Sequence, residues 1–275
     1  MDYIKLNCHR PSDKGSAEIL IAELAEAGFE SFEETEDRIF AYIPQKDFDR
    51  TLLANIDFYS DERPVEEFIK DQNWNAVWES NYDPVLIADK VYIRAPFHKS
   101  REDVAFEIEI NPKMAFGTAH HETTSLIIEY LLEEQPKISG KSVLDMGCGT
   151  GVLSILAVMQ GAAEALAVDN DNWSYESTAE NAEINNTPQV KAVLGDASVL
   201  PKEAVFDYIL ANINKNILLK DMEAYIRCLK KGGSIFFSGF YDYDLVDIKQ
   251  QAESLGLHYL NHKAKNNWTA AKFIK

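Results

Sequence analysis

The run Asp145-Met146-Gly147-Cys148-Gly149-Thr150-Gly151 places an acid ahead of three glycines at every second position. Glycine lets a backbone turn sharply and come close to a ligand with no Cβ in the way. The apolar stretch VLSILAVMQ follows at once, so the loop opens a helix whose first N–H groups lack intrahelical partners and face whatever the loop holds. Two further acids stand at related points. Asp169 ends the apolar run ALAVD, and Asp196 follows VKAVLG. A carboxylate at a strand end can accept from both hydroxyls of a ribose, and one at the next strand end can accept from an adenine amino group. The loop spacing is G-x-G-x-G, whereas dinucleotide sites carry G-x-G-x-x-G. The shorter spacing, with acids at successive strand ends, points to S-adenosylmethionine. Asp145, Asp169 or Asp196 alone would read as a helix cap or turn residue. Three in register at the carboxyl ends of parallel strands mark the place where open α/β sheets bind ligands.

A fourth strand, FDYILAN, ends in Asn212, whose amide can serve substrate or cofactor; the competing role is a cap for the helix NKNILLKDMEAYIRCLK. Upstream, His120-His121-Glu122-Thr123-Thr124-Ser125 begins like a zinc-protease helix but has Ser125 where the second histidine belongs. Adjacent histidines point about 100° apart on a helix and make no two-ligand face. No metal is expected. The threonines precede the stripe Leu126, Ile127, Tyr130 and Leu131, so a helix start with hydroxyl caps is expected there. The loop Met114–Ala119 before it is small enough to fold over a ligand and offers Phe116 as an apolar wall.

The elements that must hold these residues follow from periodicity. From about residue 105, apolar strands alternate with amphipathic helices, the rhythm of a parallel sheet covered on both faces. The chain closes with the strands HYLNHK and WTAAKFIK, which suggests one antiparallel strand at the sheet edge. Residues 1–72 read βαββαβ, with DFDRTLLANI as the second helix, the pattern of a ferredoxin-like module. Residues 73–104, with Trp74, Trp78, Pro84 and Pro96, read as a connector of one short helix and two short strands. The fold class is therefore α/β, with a small α+β domain before the main one at 105–275.

Net charge is −18 and the isoelectric point about 4.7. Residues 1–90 carry 21 of the 45 acids but 9 of the 27 bases. Such a surface disfavours sequence-independent nucleic-acid binding, which neutralises phosphates with Lys and Arg. It suits either plain solvation or a Lys-rich partner. Cys8, Cys148 and Cys228 are scattered and form no CxxC pair, so no disulfide framework is implied. No run of signal-peptide or membrane-span length occurs, and a cytoplasmic monomer is expected.

The motifs together resemble one family. NPKMAFGTAHHETTSL is similar to the NPGLAFGTGTHPTTSL signature of the bacterial ribosomal protein L-eleven methyltransferases (PrmA), and DMGCGTGVLSI, AVDND and ANI recur at the matching later places. The likeness runs from about residue 70 to the C-terminus and includes Trp268. The second glycine of the FGTG element is Ala119 here, and the proline after the histidine has no equivalent. The resemblance implies a seven-stranded class I methyltransferase domain behind a ferredoxin-like domain that recognises the substrate protein. It implies methyl transfer from S-adenosylmethionine to lysine side chains and the N-terminal amine of a basic stalk-base protein of the large ribosomal subunit. It assigns cofactor contacts to Thr124, Gly147, Asp169 and Asn212; Gly149 and Asp196 join them by position, and Asn212 and Phe116 are the candidates nearest the chemistry. Other readings are a lysine methyltransferase for a different protein, a nucleic-acid amine methyltransferase, and a cofactor-binding module or nicotinamide dehydrogenase. ANIN in place of an NPPY-type motif and the acidic charge weigh against the nucleic-acid enzyme.

Overall fold

The computed structural model describes residues 2–54, 56–60, 62–69, 83–111 and 120–275. The chain divides into two compact units, Met1–Tyr82 and Asp83–Lys275.

In the first unit, β1 (Tyr3–His9), β2 (Ser31–Glu34), β3 (Arg38–Pro44) and β4 (Val65–Ile69) form an antiparallel sheet in the order β2-β3-β1-β4. Alternation sends Leu6, Cys8, Ile39, Ala41 and Ile43 to one face. There they meet Ala17, Leu20 and Leu24 of α1 (Lys14–Glu26), which recur at helical spacing. Asp13 caps α1 by accepting from the Ser16 N–H at 2.8 Å, and Gly28, at φ +102°, turns the chain out of it. The stretch expected as a second helix is a 3-10 turn, Arg50–Leu53, started by Asp49. Four residues between that cap and Ala54 are too few to repay α-helix nucleation.

The second unit is built on a sheet of β8 (Ser142–Met146), β9 (Glu164–Asp169), β10 (Val190–Leu194), β11 (Phe206–Asn212), β12 (Leu229–Tyr241), β13 (His258–Lys265) and β14 (Trp268–Ile274). Their order is β10-β9-β8-β11-β12-β14-β13, parallel except for β14. The antiparallel strand thus lies one place in from the edge, because the terminal hairpin inserts β14 against β12 and leaves β13 outside. Alternate residues serve opposite faces. Val143, Ala167, Leu210 and Phe236 pack with α2 (Glu122–Glu134) and α3 (Val152–Met159). Leu144, Val168, Ile209 and Phe237 pack with α5 (Lys215–Cys228) and α6 (Leu245–Ser254). Between β9 and β10 runs α4 (Asn172–Ile184).

Helix α5 stops at Cys228, short of the expected end at Lys230. Leu229 is fully buried and pairs with Phe206, which draws the chain into β12 early. Residues 83–104, expected as part of the connector, belong to the second unit. There β5 (Val85–Ile87), β6 (Val91–Arg94) and β7 (Phe106–Glu109) form a small sheet whose Ile87, Val91, Ile93 and Ile108 join the core of α2 and α3. The expected connector helix, with Trp74 and Trp78, lies outside the described residues. Among the described residues no helix is long and apolar enough to cross a membrane.

Candidate active site

Strands β8, β9, β10 and β11 end on one side of the sheet, and their ends line a cleft of about 490 Å³. That is within the roughly 300–1,000 Å³ of small-molecule sites. Thr124, Gly147, Gly149, Asp169, Asp196 and Asn212 all line it. Phe116 lies outside the described residues.

The glycine loop leaves β8 with Gly147, Gly149 and Gly151 at φ +69°, +56° and +77°. A side chain is strained at such angles. At Gly147 a Cβ would also stand 2.2 Å from Ile213 Cγ2, and at Gly151 it would stand 2.9 Å from Thr178 Cγ2. The loop is fastened from two sides. Asp169 accepts from the Gly149 N–H through Oδ2 and from the Asp171 N–H through Oδ1, both at 3.0 Å. Thr178 donates to the Gly149 carbonyl at 2.9 Å, and Asn181 Nδ2 donates to the Thr150 carbonyl at 3.0 Å.

Those last two partners are a feature that sequence reasoning missed. Helix α4 buries Ser174, Ser177, Thr178 and Asn181, polar residues at i, i+3, i+4 and i+7. Such a stripe usually faces water. Here it faces the loop, whose carbonyls need donors. The signal was in the sequence as a polar stripe on a helix with no compensating apolar one.

Asp145 is not among the residues that line the cleft. It is fully buried, and its Oδ2 accepts from Ser154 N–H and Oγ–H at 3.2 and 2.7 Å, tying β8 to the start of α3. Its Oδ1 has no partner among the described residues. Burial pushes its carboxyl up to about 7, the Ser154 bonds oppose this, and the charge of Asp169 adds to it. Asp196 lines the cleft and also starts the 3-10 turn Ala197–Val199 by accepting from Ser198 N–H. That bond holds its carboxyl below the usual range. The turn role of this acid is thus present, and the cap leaves it at the wall of the cleft. Burial pushes the Cys148 thiol up, which removes it as a nucleophile.

Asn212 ends β11 inside the cleft. The competing capping role belongs to Asn214, which accepts from the Ile217 N–H at 3.1 Å. Asn212 is thus spared, and its Nδ2 donates to Thr124 Oγ1 at 3.2 Å. Thr124 is buried in the first turn of α2. The cap of α2 is His121 rather than a threonine: its Nδ1 accepts from the Thr123 N–H, and its ring meets Trp268 edge-on at 4.5 Å. His121 and Trp268 both line the cleft, as do Ile213, the last residue of ANI, and Ile217 and Lys220, two residues that no motif singled out.

Glycines, backbone N–H groups at a helix start, a strand-end carboxylate and a strand-end amide suit a ligand with an amino acid part and a ribose. The donor set fits S-adenosylmethionine. A sequence profile described as "Ribosomal protein L11 methyltransferase (PrmA)" matches residues 13–275. The chain belongs to this family. A relative bearing the same name in Phocaeicola vulgatus is 46% identical over 281 residues, covering 100% of this chain and 99% of its own. Another, in Bacteroides thetaiotaomicron, is 43% identical over 280 residues, 99% of each chain. A crystal structure of "ribosomal protein L11 methylase" from Lactobacillus delbrueckii subsp. bulgaricus superposes with a TM-score of 0.63 and 24% identity, covering 70% of this chain and 99% of that one; it speaks for the fold alone. As a PrmA-family member the chain is a methyltransferase, and its cofactor is S-adenosylmethionine.

Proposed function

We propose that the chain methylates amino groups of ribosomal protein L11, both lysine side chains and the N-terminal amine. The observation that carries this is the convergence of the glycine loop, Asp169 and Asn212 in one cleft, in a chain whose full-length relatives bear that substrate in their name. Thr124, Gly147, Gly149, Asp169, Asp196 and Asn212 are the cofactor contacts in this reading. Asp169, already oriented by two backbone N–H groups, accepts from the ribose. Asp196 serves the adenine end.

When bound, the cofactor supplies a methyl group already activated on sulfur. The protein must then present a neutral amine in line with it. Positioning of this kind lowers a barrier by about 7–11 kcal/mol. A free lysine has a pKa of about 10.4, so deprotonation at pH 7 costs roughly 4–5 kcal/mol. Burial lowers that cost by disfavouring the ammonium. Asn212 Nδ2 is committed to Thr124, which turns its Oδ1 toward other donors. That oxygen orients the amine, and no dedicated general base is required. Phe116 completes the apolar wall.

The sheet order of the second unit supports a seven-stranded class I methyltransferase domain, and the order β2-β3-β1-β4 supports a ferredoxin-like substrate-recognition domain before it. The enzyme acts in the cytoplasm as a monomer on this stalk-base protein. The test is direct. Purified chain, S-adenosylmethionine and unmethylated L11 should give L11 species heavier by whole methyl groups, and Asn212→Ala should slow their appearance at least tenfold. No transfer from the cofactor-loaded wild type would refute the substrate.

A further inference from the structure

At the rim of the cleft the chain reads Tyr241-Asp242-Tyr243-Asp244. Tyr241 and Trp268 are paired across β12 and β14, and their rings lie 4.1 Å apart, tilted by 30°. Tyr243 stacks on Tyr241 at 5.3 Å and 24°. The three rings make a ladder that starts in the cleft at Trp268 and ends in solvent, where Tyr243 is 70% exposed. The ladder is held in place. Gly239, where a Cβ would stand 2.4 Å from the Ile213 carbonyl oxygen, bulges β12 just before it, and Asp242 N–H donates to the Asn267 carbonyl at 2.9 Å.

Tyr241 pairs across the sheet with Trp268, but Tyr243 beyond it is exposed and buries no core surface. Their surroundings are acidic. Lys215 is claimed by Asp244 and Asp247, each at 2.6 Å, and that triad keeps a net negative charge. Asp242 has no ion pair among the described residues. Ring faces attract ammonium and guanidinium groups, and nearby carboxylates strengthen the attraction.

We infer that Tyr241, Tyr243 and Asp242 form a docking ladder for a Lys- or Arg-bearing segment of the substrate protein next to the methylated amine. It rests on the reading of a basic protein substrate given above. Two things favour this occupant: the ladder runs without a break into the cleft through Trp268, and its charge complements a basic chain. A cation gains the outer face of Tyr243, which Tyr241 and Trp268 hold in place from behind, without burying its charge, so the segment can shift between successive transfers while staying attached. The tyrosines act by holding the substrate and touch no reacting atom.

The experiment compares wild type with Tyr241→Leu/Tyr243→Leu and with Tyr241→Phe/Tyr243→Phe, using unmethylated L11 as substrate. Loss of the Tyr243 face and of the Tyr241 ring behind it should raise KM for L11 by roughly five- to twentyfold, with a much smaller change in kcat. The Phe pair keeps the faces and should stay within about twofold of wild type. Affinity for S-adenosylhomocysteine, read by calorimetry, should be the same in all three and shows that the variants are folded. An unchanged KM in the Leu pair, with wild type active, overturns the ladder alone. A Phe pair as impaired as the Leu pair overturns it too. Absence of L11 methylation by wild type overturns the substrate reading and the ladder with it.

Discussion

The Asn212 side-chain amide donates to the hydroxyl of Thr124 at 3.2 Å and so joins the end of β11 to the first turn of α2. These residues are 88 positions apart and come from elements on different sides of the glycine loop. The bond fixes which way the amide faces. One of its N–H groups is used internally.

Thr124→Val should therefore disturb the reaction through Asn212. The hydroxyl is lost with little change in volume, and the Asn212 amide is free to rotate. Loss of a hydrogen bond of this kind costs about 0.5–1.5 kcal/mol, or up to roughly tenfold in kcat/KM for methyl transfer. Steady-state kinetics check this. A wild-type value would separate Asn212 orientation from Thr124.

Asp169→Asn should weaken S-adenosylhomocysteine binding in calorimetry. Charge-assisted hydrogen bonds are worth about 1.5–3 kcal/mol, so tenfold or more in Kd is expected. The Gly149 and Asp171 N–H groups keep an acceptor in Asn Oδ1 only for one of the two, which also loosens the loop. Unchanged affinity would place the ribose elsewhere.

Thr178→Val should cost stability as well as affinity. It leaves the buried Gly149 carbonyl without its donor, a penalty of about 1–3 kcal/mol. Urea unfolding reads the first effect and cofactor titration the second. A change in neither would mean that the loop is held without Thr178.

Asp145 makes stability depend on pH with a definite sign. Its carboxyl is raised from the ordinary range to about 7 by burial, so the folded state holds a proton that the unfolded chain releases near pH 4. Its stabilising contribution is complete below pH 4 and is lost as pH rises toward 7. Asp145→Asn keeps an acceptor for Ser154 and removes the ionisation. The stability of the variant relative to wild type should therefore rise between pH 4 and 7, by about 4 kcal/mol at most, and stay level above that. Unfolding curves of the two proteins at matched pH test this. A difference independent of pH would contradict it.

Much of this arrangement is legible in the sequence, for physical reasons. Apolar runs of five to seven residues that alternate with longer helical patterns read as buried strands, so β8 to β11 and their ends are readable, and with them the places of Asp169, Asp196 and Asn212. What depends on tertiary pairing was not. Leu229 leaves a helical pattern for a strand because Phe206 offers it a partner. The antiparallel strand moves inward because β14, richer in buried residues than β13, takes the covered place. His121 displaces the threonines as cap because both of them are buried in the first turn of α2. The α4 stripe was hidden because a buried polar face has the period of an exposed one.

The most direct test of the whole account uses ribosomal proteins from cells that lack this enzyme. They are mixed with purified chain and S-adenosylmethionine and read by intact-protein mass spectrometry. The account predicts that L11 alone gains whole methyl groups, and that raised salt slows the gain, because the acidic residues concentrated in the first unit draw the basic protein in. Methylation of a different protein, or of none while the cofactor is bound, would contradict it.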